Sequence, residues 1–271
     1  GLDLNESDLF KVRFFEFLTE KRDKDQKVFD EISGLYGIIE QRNKKAAQAV
    51  TDMAEILRIL QSLIVAKYKM PMELFDYSSE RFWEHLFDAL LGINIWPNFK
   101  PDVLEEIIQD RSETSPLSVA GIEKLIDCRY QFHEKFDSYE SGRVSDVALT
   151  YFMMESRYGW RYWHYPVVFL YQHGEDGLRE FFRELVRLSL CYSLLYGKVV
   201  YEAHSCFRQA LKNLFEPSGD AVRFLSNKRQ ELQGQVLPVF KDGDLACKPK
   251  AKRILCLLSE YLENNDQFEH V

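Results

Sequence analysis

The sequence predicts an all-α fold, a multi-helix bundle of about nine to eleven helices. Three observations predict it. Apolar residues recur at three- and four-residue spacing through most of the 271 positions. Helix starts and stops stand in the right places between the periodic runs. Hydrophobic residues make up 46% and aromatic residues 14% of the chain, enough to bury a sizeable core and to exclude disorder of the whole.

Asn5 or Ser7 can cap a first helix, with Asp8 placed against its N-terminal dipole. Leu9, Val12, Phe14, Phe15 and Leu18 then follow at helical spacing, and the charged run Glu20 to Asp25 reads as a turn. A helical stretch extends from about Gln26 to Lys67, with bends expected near Ser33-Gly34 and Gly37. Its second half has an apolar stripe: Ala46, Ala49, Val50, Met53, Ile56, Leu57, Leu60 and Ile64. Met70-Pro71 ends it, because a residue preceding proline avoids the helical region. Ser79 caps a helix carrying Phe82, Trp83, Leu86, Phe87 and Leu90, and Gly92 closes it. Pro101 suits the first turn of a short helix reaching about Gln109.

Arg111-Ser112-Glu113-Thr114-Ser115-Pro116 is the most linker-like stretch, so two lobes are expected, 1–115 and 116–271. In the second, helices are expected over about 118–137 and 145–158, the latter capped by Ser145 or Ser141. The aromatic run from Tyr158 to Pro166 leads into a helix ending at His173-Gly174. Between Asp176 and Tyr196 apolar residues fall nearly all round, the pattern of a helix in the middle of a bundle. Helices over Val199–Leu214, Pro217 to about Gln233, and Pro249 to about Asn264 complete the set. One β-like signal stands out. Asp242-Gly243 lies between the short apolar runs Val236–Phe240 and Leu245–Cys247, which predicts a minor, irregular hairpin near 235–247.

The net charge is −8, from 43 acidic and 35 basic residues, so the body as a whole does not steer itself to nucleic acid or anionic lipid. The five cysteines, an odd number without a C-x-x-C pair, read as reduced thiols of a cytoplasmic protein. The most apolar run, Leu185 to Tyr196, is broken by Arg187 and too short to span a bilayer, so no membrane partner is expected.

Searches for catalytic and metal motifs end in structural readings. His133-Glu134 lacks the second His of a zinc-protease helix, since Asp137 stands there. Asp3-x-Asn5-x-Ser7 lacks the Gly and Glu of a calcium loop. Neither phosphate-binding glycine loop nor nucleophile elbow occurs, and Cys247 and Cys256 do not form a zinc knuckle. No metal ligand set and no cofactor is therefore assigned to this chain. Glu155 and Glu184 are buried-carboxylate candidates for a stand-alone enzyme, with no constellation around them. The segment with Arg157, Trp160, Arg161 and Trp163 interleaves cations with aromatics, as sites for single-stranded nucleic acid do, and as packed cores also do. Lys250, Lys252 and Arg253 form a second nucleic-acid-binding candidate, against a solvated helix face as the alternative; Arg42 with Lys44-Lys45 is a smaller cluster.

Both ends carry motif-like sequence. Gly1-Leu2-x-Leu4-x-x-x-Asp8-Leu9-x-Lys11 resembles the stretch that closes the ParB-like nucleotide-hydrolysing domain of GmrSD-type, modification-dependent restriction endonucleases. Glu269-His270-Val271, after a helix resembling the run Ile254 to Glu263, is similar to the opening of that family's HNH-type nuclease domain. The resemblance implies the helical region between the two domains. It implies a parent that uses NTP and a divalent metal and acts on DNA in a restriction or phage-defence role. His270 is the one residue that would match a catalytic position, activating water for phosphodiester cleavage, within an incomplete motif. The expectation is then a connector that positions flanking domains of the same chain and is catalytically inert alone. A helical protein-interaction or oligomerisation module unrelated to nucleic acid is the alternative, and a homo-oligomer is compatible with either.

Overall fold

A computed structural model describes residues 5–24, 27–45, 52–136, 164–196 and 201–241. Ten α-helices and no strand occur among the described residues. They are α1 Glu6–Phe17, α2 Lys27–Lys45, α3 Met53–Lys67, α4 Ser79–Leu91, α5 Pro101–Gln109, α6 Val119–Phe136, α7 His164–His173, α8 Leu178–Tyr196, α9 Tyr201–Asn213 and α10 Ala221–Lys241. The all-α class and the helix number are those expected from the sequence. The chain divides into two compact units, Gly1–Gln131 and Phe132–Val271, so the linker-like stretch 111–116 lies inside the first.

In the first unit, α1 begins with a reciprocal cap. The Asn5 side chain accepts from the Asp8 N–H, and the Asp8 carboxylate accepts from the Asn5 N–H. The helix runs on into a π-helical turn, Leu18–Arg22, so the turn expected from Glu20 starts only at Asp23, where the backbone becomes extended. The long stretch expected over 26–67 is two helices. Asp52 starts the second, its side chain accepting from the Glu55 N–H at 2.7 Å. The glycines Gly34 and Gly37 lie within α2, which continues through them with Val28, Ile32, Leu35 and Ile39 on one buried stripe. Ser78, one residue before the expected Ser79, caps α4 by accepting from the Arg81 N–H. Gly92 ends α4 with φ 76°, the left-handed conformation that favours glycine.

The core of this unit is α3, of which ten residues from Met53 to Ala66 are buried, against an aromatic layer shared by α1 and α4. Phe10 meets Trp83 edge-on at 4.8 Å, and Phe14 and Phe17 lie within reach of Phe87. Edge-on rings place the positive rim of one on the negative face of the other, beyond the gain from burial alone. A part-buried ion pair ties α3 to α6: both Nε and Nη2 of Arg129 lie 3.3 Å from Glu55 Oε1.

In the second unit, α7 is buried from His164 to Tyr171, and α8 buries Leu178, Phe181, Phe182, Leu185, Val186 and Leu188. The expectation of a bundle-centre helix over 176–196 holds for most of its circumference, while Arg179 and Arg187 stay exposed. The most extensive helix pairing among the described residues is between α8 and α10. Asp220 starts α10, accepting from the Arg223 N–H at 2.8 Å, three residues later in the chain than the Pro217 start expected.

The expected hairpin near 235–247 is corrected where it can be seen. Val236 to Lys241 is helical and closes α10, with Pro238 inside the last turn. A proline three residues from the end removes one ladder hydrogen bond, a loss confined to the last turn. Residues 242–247 lie outside the described residues, as do the helices expected at 145–158 and 249–264.

Candidate functional site

A group of hydrogen-bonded titratable side chains lies in the first unit, where the C-terminal end of α3, the π-helical turn and the segment 110–117 meet. Asp110 Oδ2 accepts from Lys67 Nζ at 2.7 Å and from Tyr68 Oη at 2.8 Å. Its other oxygen accepts from the Ser112 N–H and hydroxyl at 3.1 and 2.5 Å. Arg22 donates from Nη1 to Ser115 Oγ at 3.1 Å and to the Leu117 carbonyl, with its guanidinium over the Phe17 ring.

Local sequence explains the arrangement. Tyr68 caps α3 and Lys69 takes a positive φ of 52°, which stops the helix and sets Lys67 and Tyr68 at its end. Asp110 ends α5 and turns its own carboxylate onto Ser112, a short-range bond that bends the chain. Ser118 then opens α6: its Oγ accepts from the Gly121 N–H at 2.9 Å and donates to the Ser115 carbonyl at 2.8 Å.

The electrostatics follow from these bonds. Burial pushes the Asp110 carboxyl up, but hydrogen bonds from Lys67, Ser112 and Tyr68 outweigh it and hold the group well below the usual carboxylate range. Burial, then the bond to the Asp110 carboxylate, raises the Tyr68 hydroxyl far above its ordinary value. Burial, then neighbouring Arg111, lowers the Arg22 guanidinium. An aspartate with four donors on its two oxygens, ionised at all ordinary pH, has no proton to give and no open lone pair aimed at a substrate. Its chemistry is that of a clamp.

A second knot lies in the second unit. Arg229 of α10 reaches Glu184 of α8 through Nε at 2.8 Å and Nη2 at 3.4 Å, and Arg187 adds a bond at 3.0 Å. Glu184, a carboxylate candidate in the sequence, is therefore engaged by two guanidinium groups. Glu155, the other, lies outside the described residues. Burial pushes the Cys128 thiol up to about 12, which keeps it unreactive. Among the described residues no group of three or more His, Cys, Asp or Glu side chains could hold a metal ion.

The candidates Arg157, Trp160, Arg161 and Trp163, Lys250, Lys252 and Arg253, and His270 all lie outside the described residues. So do Asp137 and Cys247 and Cys256. No helix among the described residues is long and apolar enough to cross a membrane. The Asp110 knot itself escaped the sequence reading. The one local signal for it was Asp110-x-Ser112, the spacing of a side chain that bonds the backbone two residues on.

Compared with known protein families, curated proteins and solved structures, the chain matches none.

Proposed function

We propose that this chain is a helical connector in a DNA-directed nuclease of the GmrSD type. In this role it positions a ParB-like NTPase domain and an HNH-type nuclease domain and performs no chemistry alone. The observation that supports a scaffolding role is the Asp110 knot. Its charges are spent on holding α3, the π-helical turn and the entry to α6 to one another. The resemblance of the two ends to the family supports the nuclease assignment, and His270 belongs to that resemblance alone. Asp8, one of the motif residues, also has a local use here, since it closes the cap of α1.

The parent reading frame tests the proposal. It expects a Gly-Gln-Gln-Arg-type motif before Gly1 and the Asn and His of an HNH site after Val271. The purified chain is expected to leave ATP, GTP and both modified and unmodified DNA intact; turnover of any of them overturns the connector reading. With the two domains present, NTP and a divalent metal are the expected cofactors of the parent.

A second reading, a protein-interaction module unrelated to nucleic acid, is favoured by one observation. Ile93 and Ile95 stand 60% and 82% exposed on one loop. A reading frame without the flanking motifs would select it.

A further inference from the structure

The negative charge of this chain is concentrated. Between Glu73 and Glu113 stand ten acidic and three basic residues, a net −7 of the −8 carried by all 271 positions. Glu73, Glu80, Glu84, Asp102, Glu105 and Glu106 are exposed. The loop joining α4 to α5 lies within this stretch of sequence, with the Glu73 carboxylate against its Asn98 and Asp102 just after it, and in its first half are two of the few large apolar side chains exposed among the described residues, Ile93 and Ile95.

The loop is held in place at its base. Trp96 stacks on His85 of α4 with ring centroids 3.5 Å apart. Asn98 donates to Tyr77 Oη at 3.2 Å and reaches Glu73 Oε1 at 3.5 Å. At the start of the loop, the Ile93 N–H and the Asn94 N–H both bond the Asp88 carbonyl. The two isoleucines are thus presented on an anchored support, with the cost of ordering the loop already met in the free protein.

We propose that the loop Gly92–Lys100 and the acidic surface around it bind a protein segment rich in Lys or Arg that also carries apolar side chains. The isoleucines supply the apolar contact, and the surrounding carboxylates select basic over acidic segments and set the approach. The same negative field opposes DNA, RNA and anionic lipid at this surface. The inference stands independently of the proposed nuclease parent.

The test uses the full chain and a labelled helical peptide built from Leu and Lys. Parallel peptides carry Glu for Lys or Ser for Leu, and phosphatidylserine vesicles and duplex DNA serve as further probes. The Leu/Lys peptide is expected to bind with an affinity that falls as salt rises. Ile93→Ser with Ile95→Ser is expected to weaken it about tenfold or more, with an unchanged circular dichroism spectrum, and Glu73→Gln with Asp102→Asn to weaken it too. Val12→Ser, at an exposed apolar side chain on α1, is expected to leave it unchanged. Should the double isoleucine variant unfold, Ile95→Ser alone provides the same reading. The proposal is overturned by absence of binding at about 100 µM, by equal binding of the isoleucine variants, by equal binding of the Glu peptide, or by a preference for vesicles or DNA.

Discussion

Tyr68 and Asp110, 42 residues apart, share a 2.8 Å hydrogen bond on the same carboxylate oxygen that Lys67 occupies at 2.7 Å. One oxygen thereby receives a neutral and a charged donor from consecutive residues, and the end of α3 is held to the end of α5 through it.

Removing one donor should cost less than removing the acceptor. Tyr68→Phe is expected to lower the free energy of unfolding by about 1–2 kcal/mol, and Asp110→Ala by about 2–3 kcal/mol, because the second leaves Lys67 and Tyr68 together without their partner. Urea denaturation of the purified variants measures both, and equal, negligible costs would mean the knot holds nothing.

Asp110 also predicts a pH dependence. Its carboxyl is held below the unfolded value of about 3.9, so its contribution is fully present above that pH and is lost as pH falls through the lower folded value. The stability difference between the wild type and Asp110→Asn is expected to be constant near neutral pH and to shrink below about pH 4. A difference that widens on acidification would contradict the bonding described.

The glycines of α2 and α6 make opposite predictions. An added Cβ at Gly121 would lie 1.9 Å from the Ser115 carbonyl oxygen, whereas at Gly34 it would meet nothing within 4 Å. Gly34→Ala is expected to stabilise by about 0.5–1 kcal/mol, the ordinary helix preference of alanine. Gly121→Ala is expected to destabilise by about 1–3 kcal/mol, since the carbonyl it strikes belongs to the segment that Arg22 and Ser118 hold. Thermal melts of the two variants should therefore move in opposite directions.

The Glu184 pair can be separated from its charges. Glu184→Ala is expected to cost about 3 kcal/mol, because two guanidinium groups lose their acceptor in a part-buried site. Replacing Glu184 and Arg229 together by Leu and Met is expected to recover most of that loss. A double-mutant cycle by denaturation gives the coupling directly.

Cys128 provides a probe of opening. With its thiol pushed up to about 12 and the residue buried, alkylation at about pH 8 is expected to be slow in the folded protein and fast once denaturant is added. Prompt labelling of native Cys128, read by mass spectrometry, would show that this part of α6 opens readily.

Much of the architecture was legible in the sequence where the signal is local. Asn5, Gly92 and Pro101 act within one turn of the helix ends they mark, and each acts as expected. Asp52 was missed because the apolar stripe runs through it, and a cap that breaks a periodic pattern is hidden by the pattern. The apolar run Val236–Phe240 before Asp242-Gly243 misled for the reverse reason: it fits a strand locally, yet it belongs to the helix that packs along α8. Apart from the local Asp110-x-Ser112 spacing, the charged knot was not legible. Lys67 and Tyr68 find Asp110 across more than forty residues, and Arg22 finds Ser115 across 93. No periodicity encodes such distances.

That last separation has a consequence for the order of events during synthesis. The π-helical turn with Arg22 leaves the ribosome long before the Ser115 and Leu117 groups it bonds. Helices α1 to α5 can form and collapse as they emerge, but the clasp between them waits for the residues that precede α6. Until then Arg22, Lys67 and Tyr68 lack these partners, and the short run from Asp110 to Leu117 is the stretch of chain whose arrival closes the clasp over a core already assembled from α1, α3 and α4.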